Sequence, residues 1–364
     1  MVVRGGGARG ALLGLAGMVL AGGGALLAGA GAYEPFLWAW LFWGGLSTGS
    51  VALLLVHQVT GGRWGDALRP PLVAAAAALP LVALLVGPLL FGLAELYPWA
   101  RGDVPHSSVL FSPMFFSGRA LVYLVLLLGL AWVAGAFGLP ARRLRGQGMG
   151  GAALLMLVLT TTLAAFDWVM SLDPHWYSAI FGLLVGVAQV VAGLALATRW
   201  LATAEGRLPD RPATRQLHDA ANLLLAGVLL WAYLGFMQFL TIWSANLPEE
   251  IRWYVPRLQT DWRWLGLAVV GLHLLAPLVL LLSRRARRSP RILGLVAGVV
   301  LLGQALYALW LTLPTLRPQA ARLEAADALL FLGVGGLWLG LFMWRLPGAA
   351  TAAGTSRQEV ADGG

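Results

Sequence analysis

The residues with the most distinctive chemistry lie in segment 166–178, which reads FDWVMSLDPHWYS. Asp167 lies inside an apolar run, and a short polar turn with Asp173 and His175 follows it. A carboxylate within a membrane helix is costly unless it faces a protein interior, a cavity or a partner. Asp167 and His175 are therefore candidate catalytic residues, which would bind the polar head of a lipid-soluble substrate such as a quinol or start a proton path. The alternatives are a helix-end carboxylate paired with an arginine, and a solvated histidine.

Several other polar residues are candidates for a hydrated proton path. His273 is predicted near the middle of an apolar helix, and His57 closes another helix just before the turn GGRWG. Such groups more commonly form hydrogen bonds between membrane helices, and a histidine at a helix end can simply lie in the interface. Both interpretations stay open. The glutamines predicted within apolar helices are Gln189, Gln238 and Gln304.

Arg119 is predicted about one helical turn inside an apolar run, where a guanidinium needs an acid or must reach the interface. A structural ion pair is the favoured interpretation. Two adjacent acids followed by Arg252 and Arg257 indicate instead a surface on which a partner docks, with interfacial anchoring by tryptophan and tyrosine as the alternative. The acids predicted at the same membrane face as Arg119 are Glu95, Asp167, Glu249 and Glu250.

The composition is that of an integral membrane protein. Hydrophobic residues make up 59% of the chain and charged residues only 11%. Apolar stretches of about 20 residues, enough to cross a bilayer, recur along most of its length. The sequence therefore predicts an all-α polytopic membrane protein of about ten transmembrane helices, near 11–30, 36–59, 71–95, 113–138, 151–171, 178–202, 219–244, 263–283, 292–314 and 325–346.

The basic charge predicts an orientation and not a nucleic-acid partner. All 25 basic residues are arginines, and alternating the ten helices places 18 of them on one side and 7 on the other. The richer side is expected to be cytoplasmic, which puts both termini inside. We expect these arginines to contact anionic membrane lipids.

The chain contains no cysteine, which excludes covalent c-type haem and cysteine-ligated iron–sulfur clusters. Of its five histidines only His273 is predicted in mid-span, so the sequence also argues against haem between two histidines and against a metal site. No soluble domain fits between the helices. Redox chemistry with soluble donors or acceptors is therefore expected to belong to partner subunits.

The predicted organisation is a single integral-membrane domain, 1–346, followed by a disordered cytoplasmic tail, 347–364. The arginines and the acidic, aromatic loops recur at an offset of four helices. This spacing predicts two parallel repeats, 36–171 and 178–314, each a four-helix bundle. The alternative is that alternating topology alone produces the recurrence.

Three motifs together resemble a known family. They are GGRWG at 61–65, FDWVMSLDPHWYS at 166–178 and FLTIWSANLPEEIRWYVPRL at 239–258. In these stretches the chain resembles the F subunit of alternative complex III, a bacterial quinol:cytochrome c oxidoreductase of the respiratory chain. The resemblance covers about residues 35 to 345. It implies an NrfD-like subunit of the polysulfide-reductase type, with ten helices that form two four-helix bundles.

The resemblance also implies a division of labour. The partners would be a second NrfD-like membrane subunit, a periplasmic iron–sulfur subunit and c-type haem subunits, and those partners would carry all the haem and clusters. The lipid-soluble cofactor would be a quinone such as menaquinone. Asp167 and His175 match the family stretch, whereas the better-supported quinol site of such a complex belongs to the second NrfD-like subunit. The F subunit would then serve in proton movement or scaffolding and would not catalyse alone.

Two other functions compete with this expectation. One is a purely structural subunit of the same complex. The other is a stand-alone secondary transporter, in which interrupted helices recur at matching places in two halves. Pro80 and Pro88 in the third predicted helix have no counterparts in the seventh, which weakens the transporter hypothesis.

Overall fold

The computed structural model describes residues 5–102, 111–137, 147–204, 214–319 and 321–361. Within these ranges the chain is helical over 87% of its length and contains no strand. The protein is thus an all-α membrane protein, as the composition predicts. Helices α1 to α9 are Gly5–Ala28, Tyr33–Thr60, Arg63–Ala76, Leu79–Leu84, Val86–Phe91, Leu93–Leu96, Pro98–Arg101, Pro113–Val133 and Gln147–Trp168. Helices α10 to α18 are Phe181–Thr203, Thr214–Ala245, Pro248–Ile251, Val255–Gln259, Trp262–Val269, Ala276–Leu282, Arg284–Arg288, Pro290–Leu316 and Ala325–Ala361.

Nine helical segments in the described part of the chain are long and apolar enough to cross a membrane. The first, Gly7–Thr60, contains two of the ten predicted helices. A 3₁₀ turn with Gly29 at φ +55° separates α1 from α2. Contacts with α18 show that the two helices run in opposite directions, because α1 passes α18 antiparallel and α2 passes it parallel. The segment is therefore a hairpin, and each predicted helix has a counterpart.

The pair formed by α1 and α18 is packed through glycines. A Cβ added to Gly10 would lie 2.7 Å from the carbonyl oxygen of Gly340, and one added to Gly17 would lie 2.5 Å from the backbone nitrogen of Leu337. Only glycine lets two backbones approach so closely. The seven-residue spacing of Gly10, Gly17 and Gly24 keeps this contact on one face of α1.

The third predicted helix is the least regular one. The sequence predicts a helix over 71–95, whereas the structure has α3, α4 and α5 in succession from Arg63 to Phe91. Pro80 and Pro88 lie in the first turns of α4 and α5. Proline has no backbone N–H to donate, so each helix is interrupted before it and restarts there.

The remaining helices pack as two bundles. In the first, α2, the α3–α5 run, α8 and α9 form a ring in which each helix contacts the next. In the second, α10, α11, the run from α14 to α15 and α17 do the same. The bundles meet along α2, α10 and α17, where Gly49 of α2 lies directly against the backbone of Gln189. The repeat boundaries 36–171 and 178–314 stay a prediction.

Charges divide the molecule into two faces. We define the acidic face by the ion pairs of Asp167, Asp173 and Asp327. On this face Arg317 joins Asp327 of α18 to Glu34 of α2, and although burial alone would lower the pKa of Arg317, its hydrogen bonds to these two acids raise that pKa. We define the arginine face, at the opposite ends of the helices, by the five arginines between 284 and 291.

The last helix extends beyond its apolar part. α18 continues to Ala361, and the disorder predicted for residues 347–364 stays a prediction. The segment is rich in alanine, the residue with the highest helix propensity, so the helix can extend past its apolar part.

Candidate functional site

Asp167 is held in an ion pair near the end of α9. Arg119 of α8 donates from Nε and Nη2 to the two carboxylate oxygens at 2.7 and 2.8 Å, and the hydroxyl of Tyr123 donates to Oδ2 at 2.9 Å. The side chains of Arg119 and Asp167 are only 19% and 15% exposed. This two-point arrangement favours the structural interpretation of both residues.

His175 belongs to a different network. Its backbone N–H donates to Asp173 Oδ1 at 3.2 Å, its ring Nδ1 lies 3.9 Å from the same oxygen, and its side chain is 57% exposed. Arg252 donates from Nε to the other oxygen of Asp173 at 3.0 Å. Asp173 therefore organises this turn, although the sequence singled out its neighbour. The Asp-Pro turn is the signal that could have identified it.

The structure does not join the predicted pair of Asp167 and His175. Both oxygens of Asp167 accept hydrogen bonds from Arg119, and no hydrogen bond or ion pair links Asp167 to His175. Oδ1 of Asp167 accepts from Arg119 alone and keeps a second acceptor position. The role of the two residues in quinol binding stays a prediction.

Neither Arg119 nor Arg252 pairs with a glutamate in the described part of the chain. In the part of the chain that the structure describes, Arg119 pairs with Asp167 and Arg252 pairs with Asp173. Glu95 and Glu249 are exposed. Glu250 contributes its backbone, whose carbonyl accepts a hydrogen bond from the indole of Trp176 at 3.1 Å. The glutamate carboxylates remain candidates for docking.

The strongest functional candidate is a polar cluster between the two bundles. Gln189 of α10 and Gln304 and Tyr307 of α17 line a narrow cavity of ≈ 20 Å³, which is room for about one water molecule. The Oε1 atoms of both glutamines and the hydroxyl of Tyr307 are buried without a hydrogen-bond partner. Apolar residues from α2, α9's end, α10 and α17 form the rest of the wall.

His273 extends this cluster into the second bundle. It is completely buried, and neither ring nitrogen has a hydrogen-bond partner. Its ring lies parallel to that of Tyr307, with centroids 6.3 Å apart, and meets Trp231 edge to face at 4.1 Å. The histidine lies in a π-helical turn, 270–275, of a type often found at functional sites.

The other two residues predicted for a proton path lie elsewhere. Gln238 accepts from Ser178 and donates to the hydroxyl of Tyr254, both at 3.4 Å, near the acidic face. Burial raises the pKa of Tyr254. His57, at the opposite end, has Nε2 2.9 Å from the carbonyl oxygen of Gly62. The structure thus brings together Gln189 and His273, through Tyr307, and leaves Gln238 and His57 outside the cluster.

The sequence pattern does not distinguish Tyr307 or Trp231. Both are aromatic residues within apolar helices, where they resemble ordinary core packing. Gln304 is one of several glutamines within apolar helices. The spacing of Gln304 and Tyr307, three residues apart and therefore on one face of α17, is the signal that could have joined them.

Arg257, predicted with Arg252 to belong to a docking surface, is instead a buried residue. It is completely buried, and burial lowers its pKa to about 9 despite neighbouring oxygens that favour the charged form. Its Nε donates to the carbonyl oxygen of Trp310 at 3.1 Å, and its guanidinium lies 3.5 Å over the ring of Trp253. Pro314 in α17 cannot donate to Trp310, four residues earlier. Arg257 therefore supplies the donor that this proline lacks.

No group of three or more histidine, aspartate or glutamate residues in the described ranges could hold a metal ion. No model of a known protein family matches the chain, and no curated protein matches it. The geometry of the polar cluster and the motifs in the sequence are therefore the basis on which a function is proposed.

Proposed function

We propose that this protein is an integral-membrane subunit of a quinol:cytochrome c oxidoreductase complex, in which it moves protons. The observation that carries the proposal is the cluster of unpartnered buried polar groups formed by Gln189, Gln304, Tyr307 and His273. The motifs that resemble the F subunit of alternative complex III supply the identity of the complex. Oxidation of a quinol releases electrons and protons, so such a complex needs groups that carry protons away.

The chemistry of the cluster supports a path for protons. A buried donor or acceptor without a partner costs about 1–3 kcal/mol, so several at one place need a compensating role or bound water. The cavity beside them has room for about one water molecule, which these groups can orient. Tyrosine hydroxyls, imidazoles and water are the groups through which protons pass between neighbouring hydrogen-bond partners.

Quinol oxidation itself is assigned to the partner subunits in this proposal. The cavity of ≈ 20 Å³ is far below the roughly 300–1,000 Å³ of typical organic ligand sites. We propose that the second NrfD-like subunit binds the quinone and that iron–sulfur and c-type haem subunits carry the electrons. The proposed location is the bacterial cytoplasmic membrane, with both termini inside.

A purely structural role in the same complex is the second candidate. The ion pair between Arg119 and Asp167 favours it, because the residues with the most suggestive sequence pattern stabilise the end of a bundle. The two candidates differ in what the central cluster does. An experiment on Tyr307 and His273 separates them.

The experiment measures quinol-driven proton movement in proteoliposomes that contain the assembled complex. Tyr307→Phe removes one hydroxyl that has no partner, and His273→Leu removes the imidazole. Thr312→Val is the matched control, since it also removes a buried hydroxyl from α17, but one that bonds to the carbonyl of Ala308 in its own helix. Turnover is measured per assembled haem, so that a loss of assembly does not imitate a loss of function.

We expect both cluster variants to lower proton movement about 10²- to 10⁴-fold, the usual effect of losing a proton-transfer group, while the control stays at the wild-type rate. Proton movement that is unchanged in both variants would establish the structural role instead. Purification of the chain as a monomer without haem-bearing partners would refute the assignment to the complex.

A further inference from the structure

The connection between α15 and α17 is unusually basic. Its sequence, SRRARRSPR, contains five arginines within eight residues, of which four lie in the single helical turn α16. Four of the five are exposed. No salt bridge joins any of them to an acid in the described part of the chain. The arginines are Arg284, Arg285, Arg287, Arg288 and Arg291.

A residue of α11 holds Arg287 in place. Arg287 is half-buried and donates from Nη1 to the amide oxygen of Asn222 in α11 at 2.9 Å. The amide nitrogen of Asn222 lies in turn 3.1 Å from His218 Nδ1. The Nε of Arg287 is buried without a partner, so one donor of this fixed guanidinium is unused. The cluster therefore contains one positioned cation beside four exposed arginines.

The location of the cluster restricts what it can bind. One membrane-spanning helix ends at Leu282 and the next begins at Pro290, so the connection is too short to extend away from the membrane surface. Its charges must lie at the depth of the lipid headgroups. Exposed apolar side chains flank it on the membrane side, namely Val279, Leu282, Ile292 and Leu295.

We propose that α16 and the start of α17 form a binding site for the phosphate of an anionic phospholipid. Guanidinium groups bind phosphate oxygens through paired, charge-assisted hydrogen bonds, and four exposed guanidiniums lie beside Arg287, which Asn222 holds in place. The acyl chains would lie along the exposed leucines and valine below. An acidic protein partner would need to reach this depth, which makes the lipid the better match. The site is independent of the proton-moving function proposed above.

The test uses the full chain in an uncharged detergent. Without a surrounding charged bilayer, the lipid that stays with the protein is the lipid that the protein binds. Native mass spectrometry counts the phosphatidylglycerol molecules that the protein retains, with phosphatidylcholine of the same acyl chains as the comparison. The variant Arg284→Gln/Arg285→Gln/Arg288→Gln removes three exposed charges from the cluster. The control Arg63→Gln/Arg215→Gln/Arg345→Gln removes three exposed arginines that lie apart from one another along the chain.

We expect the wild-type protein to prefer phosphatidylglycerol and to lose it as the salt concentration rises. Each arginine near an anionic headgroup contributes roughly fivefold in affinity, so the cluster variant should bind about 100-fold more weakly. The control should bind like the wild type. Equal retention of the two lipids, or equal loss in both triple variants, would overturn the proposal. So would normal lipid binding by a cluster variant that has lost a protein partner from the purified complex.

Discussion

Replacement of Asp167 by asparagine tests whether this carboxylate is structural. The change keeps the size of the side chain but leaves Arg119 without its acid, and one guanidinium nitrogen of Arg119 is already buried without a partner. Removal of one member of a buried ion pair costs about 3–5 kcal/mol. Because both side chains retain some exposure, 19% and 15%, we expect about 3 kcal/mol, the lower end of this range.

The free energy of unfolding in detergent is the quantity to measure, with tryptophan fluorescence as the signal. The double variant Arg119→Met/Asp167→Leu removes both charges and should recover most of the loss, since apolar pairs often replace buried ion pairs without cost. Asp173→Asn is the matched control on the same face. Its partner Arg252 is 45% exposed, so we expect a loss below about 1 kcal/mol.

Two results would refute this reasoning. One is a single variant as stable as the wild type. The other is a stable Asp167→Asn complex that loses quinol turnover or proton release per assembled haem. The second result would restore the catalytic interpretation, because a rate that falls while the fold and assembly stay intact requires a role of the carboxylate in turnover.

Three further predictions concern the contact between α1 and α18, the role of Arg257 and the orientation of the chain. Gly17→Leu should separate α1 from α18 and lower stability by a few kcal/mol, whereas Gly22→Leu, with open space beside it, should change stability by less than about 0.5 kcal/mol; thermal unfolding compares them. Pro314→Ala restores a backbone donor to Trp310, so Arg257→Met should cost about 1 kcal/mol less in that background, as a double-mutant cycle would show. A cytoplasm-dependent reporter fused after Gly364 should be active; activity of a periplasm-dependent reporter there would reverse the predicted orientation.

The sequence was sufficient for the fold class and for the approximate position of each helix. A run of about 20 apolar residues is the length that crosses a bilayer as a helix. It was less informative where proline intervened. Pro80 and Pro88 indicated an interruption of the third span, but the bounds of α3, α4 and α5 did not follow from the sequence. The length of a helix follows from hydropathy, but its continuity depends on where backbone donors are missing.

The sequence predicted that Arg119 needs an acid, but it offered several acids at the same face. The choice of Asp167 over Glu95 depends on how α8 and α9 are rotated against each other, which periodicity alone does not determine. The cluster around His273 depends on three helices from different parts of the chain. Tyr307 and Trp231 could not be distinguished from core aromatics without that packing.

The contact between α1 and α18 has a consequence for how the protein is made. α1 is synthesised before α18, against which it packs through its glycines, and the large side chains on its other side are exposed. The glycine face of α1 therefore stays open to lipid until α18 has been inserted. A ribosome that stops before α18 leaves α1 with an uncovered stripe of backbone. Such a stripe is a feature by which membrane quality control could recognise an unfinished chain.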